Sequence, residues 1–383
     1  MRRVCANQVN CRLPSARRFT HEVALCSRIS HSEIQATNFP NNPLTPPTNS
    51  NNVKRLTPIS HVLPPRYHTP SKFPILTPSP IQAKTSPMKT PDILCIGSVL
   101  WDVIGRSPIS MRLSSDEPGR ITRLPGGVAM NIAVTLRRLN LIPALLTAIG
   151  RDSEGDDLIA ACARMGMITD FIYRPDDLPT DRYMAIEGAN GLIAAIADAH
   201  SLEAAGDKIL RPLSDGRLGS AAHPYPGQIA LDGNLTESLL AEIAHSPLFK
   251  KADLRIAPAS PAKAERLLPL LTHPNATIYL NLAEASLLAK TCFPDAPTAA
   301  KALITRGATR ILVTNGSQTT AMGTPDGVIT ATPPPVLVTR VTGAGDTFMA
   351  AHIVAESRGS NPTDALTQAL RTAADYVSGE IGS

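Results

Sequence analysis

Strand-like and helix-like segments alternate along the chain from residue 92 to its end. Short β-rich runs such as residues 92–96 are followed by segments with apolar residues at helical spacing, such as 131–139. Parallel strands need crossover connections, so this alternation predicts an α/β fold with a doubly wound, mostly parallel sheet flanked by helices. Residues 119–124 and 183–197 look instead like antiparallel strands, the latter turning at residues 188–191, and we expect a small projecting sheet.

The first 87 residues differ from the rest in composition and charge. They are rich in Pro, Asn, Ser and Thr, and residues 1–90 hold 12 Lys/Arg against 2 Asp/Glu, compared with 25 against 30 in the remainder. We expect residues 1–87 to be a disordered basic extension. Either translation starts at Met88, or the Arg-rich first thirty residues are a transit peptide. Because the positive charge belongs to this extension, we predict that residues 88–383, the folded domain, bind no nucleic acid.

Several classes of protein are disfavoured by what the sequence lacks. Its six cysteines show neither disulfide nor metal-ligand spacing, which indicates a reducing compartment and no zinc site. No apolar run approaches the ~18 residues of a membrane span. We therefore predict a cytoplasmic protein, or an organellar one if the transit peptide is genuine. The chain has no Gly-Lys dipeptide for a P-loop and no protein-kinase motifs.

Residues 341–347 suggest the chemistry. A β-rich run, 336–341, leads into Thr-Gly-Ala-Gly-Asp-Thr, and an apolar helical pattern follows. Backbone amides at a glycine-rich helix N-terminus form a site for phosphate. Asp346 suits a general base there, because the helix dipole favours its ionised form and it can accept a proton from a hydroxyl. Phosphoryl transfer from a nucleotide to an alcohol needs this combination, although an ordinary turn capped by Asp346 is the alternative.

Two weaker motifs favour binding of a small hydroxylated molecule. Gly126 and Gly127 precede a predicted helix and would let a ligand approach the backbone, and Asn131 can hydrogen-bond hydroxyls. Asp102 comes just after the first predicted strand, at the edge where open α/β sheets bind ligands. Each has an ordinary alternative, a simple turn for the glycines and a solvated loop residue for Asp102.

Two further motifs favour binding of a nucleotide with a divalent cation. Asn281 and Glu284 follow a predicted strand and share one face of a helical turn, from which they could steer hydrated Mg²⁺. Thr314 and Gly316 follow another strand and suit the edge of a nucleotide site. The alternatives are a helix start with surface polar residues and a plain turn.

Taken in order, these motifs resemble those of the PfkB/ribokinase family of sugar and nucleoside kinases, from Asp92 to the end of the chain. The resemblance implies a ribokinase-like fold with a small β-sheet lid formed by strands near residues 99–125 and 180–200. It implies ATP and Mg²⁺ as cofactors, with a monovalent cation such as K⁺ as a further candidate. It also implies a small-molecule sugar or nucleoside substrate, no membrane partner, and a lid able to form a homodimer contact.

The resemblance also implies a role for each motif. Asp346 would be the base, and the amides of Gly343, Ala344 and Gly345 would form the anion hole. The residues expected to hold the sugar are Asp102, Gly126, Gly127 and Asn131. Those expected on the cofactor side are Asn281 and Glu284, which would organise Mg²⁺ and phosphate through water, and Thr314 and Gly316, which would lie near the adenine.

Within the family, the sequence is most similar to pseudouridine kinases. The similar segments are residues 118–127, 179–184 with 196–198, and 232–235, and they make Thr180 and Asp198 candidate substrate-side residues. We therefore expect phosphorylation of the 5′ hydroxyl of a ribose-type nucleoside, with pseudouridine first. The alternatives are another sugar or nucleoside acceptor, or a weakly catalytic nucleoside-binding protein.

Three departures from the family pattern bear on these expectations. Ala257 replaces a usual Asp, and Leu280 precedes Asn281 where Pro is common. A second glycine is missing after Gly316. The first and third make the details of nucleotide and substrate binding less secure.

Overall fold

The computed structural model describes residues 90–112 and 114–380, so the predicted extension over residues 1–87 lies outside the described residues. The described part contains twelve strands and eight α-helices. The strands are β1 (Ile93–Ile96), β2 (Leu100–Arg106), β3 (Arg120–Gly126), β4 (Pro143–Leu146), β5 (Arg182–Gly188), β6 (Gly191–Asp198), β7 (Gln228–Asp232), β8 (Asp253–Ala257), β9 (Ala276–Asn281), β10 (Arg310–Asn315), β11 (Gln318–Thr324) and β12 (Gly327–Ala331). The α-helices are α1 (Val128–Arg138), α2 (Ser153–Arg164), α3 (Ser201–Ala205), α4 (Glu237–His245), α5 (Leu282–Ala289), α6 (Ala296–Thr305), α7 (Ala344–Ser357) and α8 (Pro362–Ser378).

The main sheet has eight strands in the order β12-β11-β10-β9-β8-β7-β1-β4. Strands β4, β1, β7, β8, β9 and β10 are parallel, while β11 and β12 add an antiparallel edge. The predicted α/β class is confirmed. The chain leaves β1 toward β4 on one side and later returns to β7 on the other. This reversal of strand order opens a crevice outside the carboxyl ends of β1 and β7, where ligands bind in folds of this kind.

Alternating side chains of the parallel strands divide the core into two layers. In β1, Leu94 and Ile96 pack against the layer that contains α4, α5 and α6. Ile93 and Cys95 face the layer that contains α1, α2, α7 and α8. Both faces of the sheet are therefore covered, which explains why all four residues of β1 are buried.

Most of the α-helices begin at a side chain that accepts a backbone amide hydrogen bond from the first turn. Such a cap satisfies an amide that would otherwise lack a partner. The capping residues are Asp152 for α2, Thr236 for α4, Asn281 for α5, Asp295 for α6 and Asn361 for α8. No helix in the described ranges combines the length and apolar character that a bilayer crossing requires.

The small sheet has the order β3-β2-β5-β6, which confirms the predicted lid strands, with β2 and β5 parallel and the other pairs antiparallel. Asp102, expected in a loop or at a strand end just after the first strand, lies within the following strand, β2. Cross-strand partners share a face of a sheet, so Asp102, Leu124 and Tyr183 lie on one face. Met184 and Ile196 lie on the other.

One predicted strand is not observed. Residues 336–341, expected as a β-rich run, form no strand. They follow three prolines, which donate no backbone hydrogen bonds. The amides of Thr339 and Arg340 donate to the carbonyl of Val377 at the end of α8, at 2.9 and 3.3 Å. The segment is held by a helix end instead of a neighbouring strand.

Two further segments form 3-10 helices. One is Pro261–Leu270, with Pro269 inside it. A proline removes one i→i−4 hydrogen bond and crowds the preceding turn, which disfavours the α form. The other is Gly206–Leu213, which contributes Ile209 and Leu213 to the core.

Candidate active site

The reversal of strand order is organised by a buried carboxylate, Asp232, at the end of β7. One of its oxygens accepts the amides of Ser98 (2.8 Å) and Ala129 (3.0 Å), and the other accepts the amide of Asn234 (2.8 Å). Burial raises the pKa of Asp232, against these hydrogen bonds, which favour the ionised form. Because Ala129 lies in the first turn of α1, the protein's own carboxylate occupies the N-terminus of that helix.

The pair Gly126 and Gly127 lies where the lid meets α1, and both positions are too tight for a side chain. A Cβ added to Gly126 would lie 2.1 Å from an Asp102 carboxylate oxygen, and one added to Gly127 would lie 2.4 Å from the Ser98 carbonyl. Gly127 also has φ +96, in the region that favours glycine. The structure therefore brings Asp102 against Gly126, and burial raises the pKa of Asp102 to about 6.

The N-terminus of α7 differs from that of α1 because no side chain caps it. Gly343 is the N-cap, with φ +86 and no side chain. The Ala344 amide donates to the Val341 carbonyl at 3.0 Å, and the first i→i−4 bond runs from Thr347 to Gly343 at 2.9 Å. The amides of Gly345 and Asp346 therefore precede the hydrogen-bonded turns of the helix. This helix end offers donors and a positive dipole to an anion.

Asp346 lies in that first turn and is held by a neighbouring helix. The side-chain amide of Asn131 in α1 donates to the Asp346 carboxylate at 3.0 Å. Burial raises the pKa of Asp346 to about 7; the Asn131 hydrogen bond lowers it, and the charges of Asp232 and Glu284 raise it further. A carboxylate with a pKa near neutrality can both accept and release a proton at physiological pH, as general base catalysis requires.

Asn281 and Glu284 form a reciprocal cap at the start of α5. The Glu284 amide donates to the Asn281 side chain at 2.9 Å, and the Asn281 amide donates to Glu284 Oε2 at 2.8 Å. Glu284 is buried, and that burial raises its pKa. The reciprocal cap engages Oε2 and leaves Oε1 as an acceptor. The structure thus shows the helix start that was the alternative interpretation, with Glu284 buried rather than on the surface; a role in steering Mg²⁺ stays a prediction.

The carboxylates of this region fit a divalent cation held largely by water. In residues 90–112 and 114–380 no three His, Cys, Asp or Glu side chains are close enough together to hold a metal directly. Mg²⁺ keeps several waters and binds through one or two carboxylates plus substrate phosphates. The charges of Asp232 and Glu284 both raise the pKa of Asp346, and such a group of carboxylates suits a cation with its bound phosphates; contact with Mg²⁺ through water at Glu284 stays a prediction.

A cleft of about 350 Å³ adjoins the open end of α7. Thr314 and Gly316 line it on one side, and Ala344 and Gly345 line it on the other. The remaining walls are largely apolar, formed by Pro333, Pro334, Pro335, Val336, Val338, Val341, Phe348, Leu370, Ala373, Ala374 and Val377. Thr320 also lines the cleft, and its buried hydroxyl lacks a partner among the described residues. A flat aromatic base with polar edges fits such walls.

The two remaining candidates, Thr180 and Asp198, lie outside this cluster. The Thr180 hydroxyl donates to Asp152, the cap of α2, at 2.6 Å, and its amide donates to the same carboxylate at 2.8 Å. Asp198 pairs with Arg182 across the strands of the lid, on the face opposite Asp102. Their substrate-side role stays a prediction.

Sequence reasoning did not select Asp232 or Thr320 as site residues. The available signal for Asp232 was an acidic residue directly after a buried strand and before Gly-Asn, the same kind of signal that selected Asp102. Thr320 gave no signal, because a threonine in a strand is ordinary.

Three comparisons with known proteins bear on this geometry. The model of the family "pfkB family carbohydrate kinase" matches residues 90–379. The pseudouridine kinase of Escherichia coli strain K12 is 33% identical over 107 residues, a match that covers 28% of this chain and only 34% of that protein.

Solved structures with the same fold cover most of the chain. A carbohydrate kinase from Agrobacterium tumefaciens has a TM-score of 0.64 and 24% identity, and covers 74% of this chain and 90% of its own. The Arabidopsis thaliana ribokinase, complexed with ribose and ATP, has a TM-score of 0.62 and 19% identity. The match covers 77% of this chain and 94% of the Arabidopsis chain. The ribokinase of Thermotoga maritima has a TM-score of 0.61 and 21% identity. The match covers 76% of this chain and 93% of the Thermotoga chain. At these identities the likeness shows the ribokinase-like fold.

Proposed function

Because the chain belongs to the pfkB family of carbohydrate kinases, we propose that it transfers the γ-phosphoryl group of ATP to the 5′ hydroxyl of a ribose-type nucleoside. Pseudouridine, giving pseudouridine 5′-phosphate, is the first candidate acceptor. The observation that supports the transfer best is Asp346, with its pKa near neutrality, held by Asn131 in the open first turn of α7. The partial match to a pseudouridine kinase supports the acceptor.

Different residues of the chain have different roles in this phosphoryl transfer. Bound ATP and Mg²⁺ supply the phosphoryl group and neutralise its charge. Asp346 accepts the proton of the acceptor hydroxyl, while the amides at the start of α7 stabilise negative charge on the migrating group. In this proposal Asp102 and Asn131 orient the acceptor's hydroxyls, and the small sheet closes over the acceptor to exclude water.

A second candidate function is nucleoside binding without phosphoryl transfer, by a protein of the same fold. Two departures from the family pattern favour it. Ala257, buried at the end of β8, replaces a usual Asp, and the Gly316-Ser317 turn between β10 and β11 lacks the usual second glycine. A nucleoside-binding protein would bind the acceptor without releasing ADP. A kinase for ribose, a ketohexose or adenosine would keep the chemistry and change the acceptor.

Two further parts of the proposal concern assembly and ions. The lid exposes Ile121 (79%), Ile196 (67%) and Met184 (44%) on one face, and we propose that this face forms a homodimer contact. A requirement for a monovalent cation such as K⁺ stays a prediction, as does the cytoplasmic location.

The test is ADP release by a chain that starts at Met88, with pseudouridine, uridine, adenosine, ribose and fructose 6-phosphate as acceptors. We expect the highest kcat/KM with pseudouridine. Turnover of another acceptor alone would refute the substrate and keep the mechanism. A folded protein that binds nucleoside and turns over none of the five would favour the binding function.

A further inference from the structure

A cluster of charged side chains, partly buried and partly exposed, lies at the opposite end of α7 from the candidate active site. It joins Asp253 and Arg255 of β8, Arg310 of β10, and Glu356 in the last turn of α7. Arg255 is 5% exposed. Glu356 is ten residues from Asp346, which corresponds to about 15 Å along an α-helix. None of these four residues has a role in the proposed transfer.

Glu356 connects α7 to two strands of the main sheet. Arg310 donates to both of its carboxylate oxygens, at 2.8 and 2.6 Å, and Arg255 donates to Oε2. Arg255 is held in turn by Asp253, at 2.7 and 2.6 Å. Burial would raise the pKa of Glu356, but the charge of Arg255 and the pairing with Arg310 outweigh it, and the pKa is lowered. The carboxylate is therefore ionised, and with Asp253 it balances the two guanidinium groups.

A carboxylate at this place needs an explanation. The C-terminal end of a helix disfavours negative charge. A buried ion pair is also weak evidence for stability, since apolar residues of similar volume often do as well. What such a pair adds is a fixed geometry, because several short hydrogen bonds allow one arrangement only.

One part of the buried surface of α7 does little to fix the position of the helix. Three of its nine buried residues are alanines, Ala350, Ala351 and Ala355, although the others are mostly larger. Small side chains leave the rotation and translation of a helix weakly specified, compared with large interlocking ones. Polar contacts to neighbouring strands can supply the missing specification.

The contacts continue from Glu356 toward the active site along one face of α7. His352, one turn earlier, is hydrogen-bonded through Nδ1 to the Tyr279 hydroxyl of β9 at 2.9 Å. Tyr279 also accepts a hydrogen bond from Arg255 at 3.2 Å and packs its ring edge-on against Phe348 at 6.3 Å. Phe348 lines the cleft two residues after Asp346. The cluster is thus joined to the first turn of the helix by direct contacts.

We propose that Arg255, Arg310 and Glu356 are positioning residues, which fix the rotation and axial position of α7 and thereby aim the Asp346 carboxylate and the amides of its first turn. Phosphoryl transfer depends on placing these groups closely, and a displacement of about 1 Å can cost about 100-fold in rate. The inference extends the proposed function from the residues that touch substrate to those that hold them in place.

The first variant is Glu356→Gln, which keeps the side-chain shape and removes the charge. We expect kcat to fall by about 10- to 100-fold with the acceptor KM changed by less than about threefold, since binding groups on α1 and the lid are untouched. The control is Asp156→Asn, which breaks an ion pair with Arg174 of similar length (2.8 Å) on the exposed side of α2, and it should leave kcat unchanged. An unchanged kcat in folded Glu356→Gln protein would overturn the proposal.

Hydrogen–deuterium exchange tests the positioning role of Glu356 independently of which acceptor the protein phosphorylates. We expect Glu356→Gln to raise exchange at residues 343–349, at the other end of α7, in the absence of any acceptor. Increased exchange confined to residues 353–357 would refute positioning even if the acceptor is pseudouridine. If no acceptor is turned over, the proposed function fails, yet exchange at residues 343–349 still decides this inference.

A third variant distinguishes an effect on the placement of α7 from an effect on the stability of the protein. The triple substitution Arg255→Met, Arg310→Met and Glu356→Leu replaces the buried charges with apolar side chains, and Asp253 is exposed enough (38%) to be solvated. We expect its melting temperature to recover relative to Glu356→Gln, while kcat stays low. Recovery of both would show that packing alone aims α7, and the proposal would be wrong.

Discussion

Asp346 is the single residue on which the chemistry depends most. Replacing it with Asn keeps the shape and the contact with Asn131 and removes the base, so kcat should fall by about 10²- to 10⁴-fold. The control Asp326→Asn, on the exposed turn between β11 and β12, should leave kcat unchanged. Steady-state kinetics measure both. An Asp346→Asn variant with most of its activity would remove this residue from the mechanism.

The raised pKa of Asp346 predicts the pH dependence of activity. The base must be ionised to accept a proton, so kcat/KM should rise with pH and level off above about 7, the pKa in the free protein. Asn131→Leu removes a hydrogen bond that favours the ionised form, so its profile should shift to higher pH. An unshifted profile in that variant would show that another group titrates.

The same pKa predicts a trade-off between stability and function. A carboxyl whose pKa is raised on folding contributes stability below its unfolded value, near 4, and this contribution is lost as pH rises through about 7. Above pH 7 the ionised Asp346 therefore opposes folding. Thermal melts should show Asp346→Asn gaining more over the wild-type protein at pH 8 than at pH 4. An equal gain at both pH values would contradict the assigned pKa.

At the scale of the element, the two glycines at the start of α7 should respond differently to alanine. Gly343 has φ +86, and an added Cβ would lie 2.6 Å from the Tyr376 hydroxyl oxygen. Gly343→Ala should therefore cost about 1–2 kcal/mol from the left-handed backbone alone and lower the melting temperature. At Gly345 an added Cβ meets no protein atom within 4 Å and enters the cleft.

Gly345→Ala should consequently keep the melting temperature and weaken nucleotide binding, because alanine suits a helix and its methyl group occupies ligand space. Calorimetric titration with ATP and a thermal melt measure the two properties. If Gly345→Ala binds ATP as the wild-type protein does, the open end of α7 is not the phosphate site.

The sequence predicted elements well where their signals are local. Helix α5 was expected from Asn281 and Glu284, and the lid hairpin from residues 188–191, because capping and turn chemistry act over a few residues. The strand predicted over residues 336–341 is absent for a non-local reason. The amides of Thr339 and Arg340 donate to the Val377 carbonyl at the end of α8. No window around residue 336 could show that partner.

At the scale of the whole molecule, the candidate site was predicted in its parts but not in its assembly. Asp346 and Asn131 were selected for separate roles, as base and sugar ligand. The structure places them 3.0 Å apart across 215 residues of chain. Asp232 was not predicted as a site residue, because its role depends on accepting three amides that lie on different segments of the chain. Such convergence is a property of topology, which sequence spacing does not encode.

The exposed apolar face of the lid predicts the assembly state. If two lids pair through this face, Ile121→Asp with Ile196→Asp should convert a dimer to a monomer, because charge cannot be buried there without a partner. Light scattering after size exclusion measures the mass. The control Leu268→Asp alters an exposed apolar side chain (39%) off the lid. A monomeric wild-type protein would refute the contact.

The account as a whole is tested most directly by identifying the product. Wild-type protein starting at Met88, and its Asp346→Asn variant, are incubated with ATP, Mg²⁺ and pseudouridine, and ³¹P NMR with mass spectrometry follows the phosphate. The account predicts ADP and a monophosphate at the 5′ oxygen from the wild-type protein, with at least about 100-fold less from the variant. Phosphate at another oxygen, equal yields from both proteins, or no product from a folded wild-type protein that binds pseudouridine would contradict it.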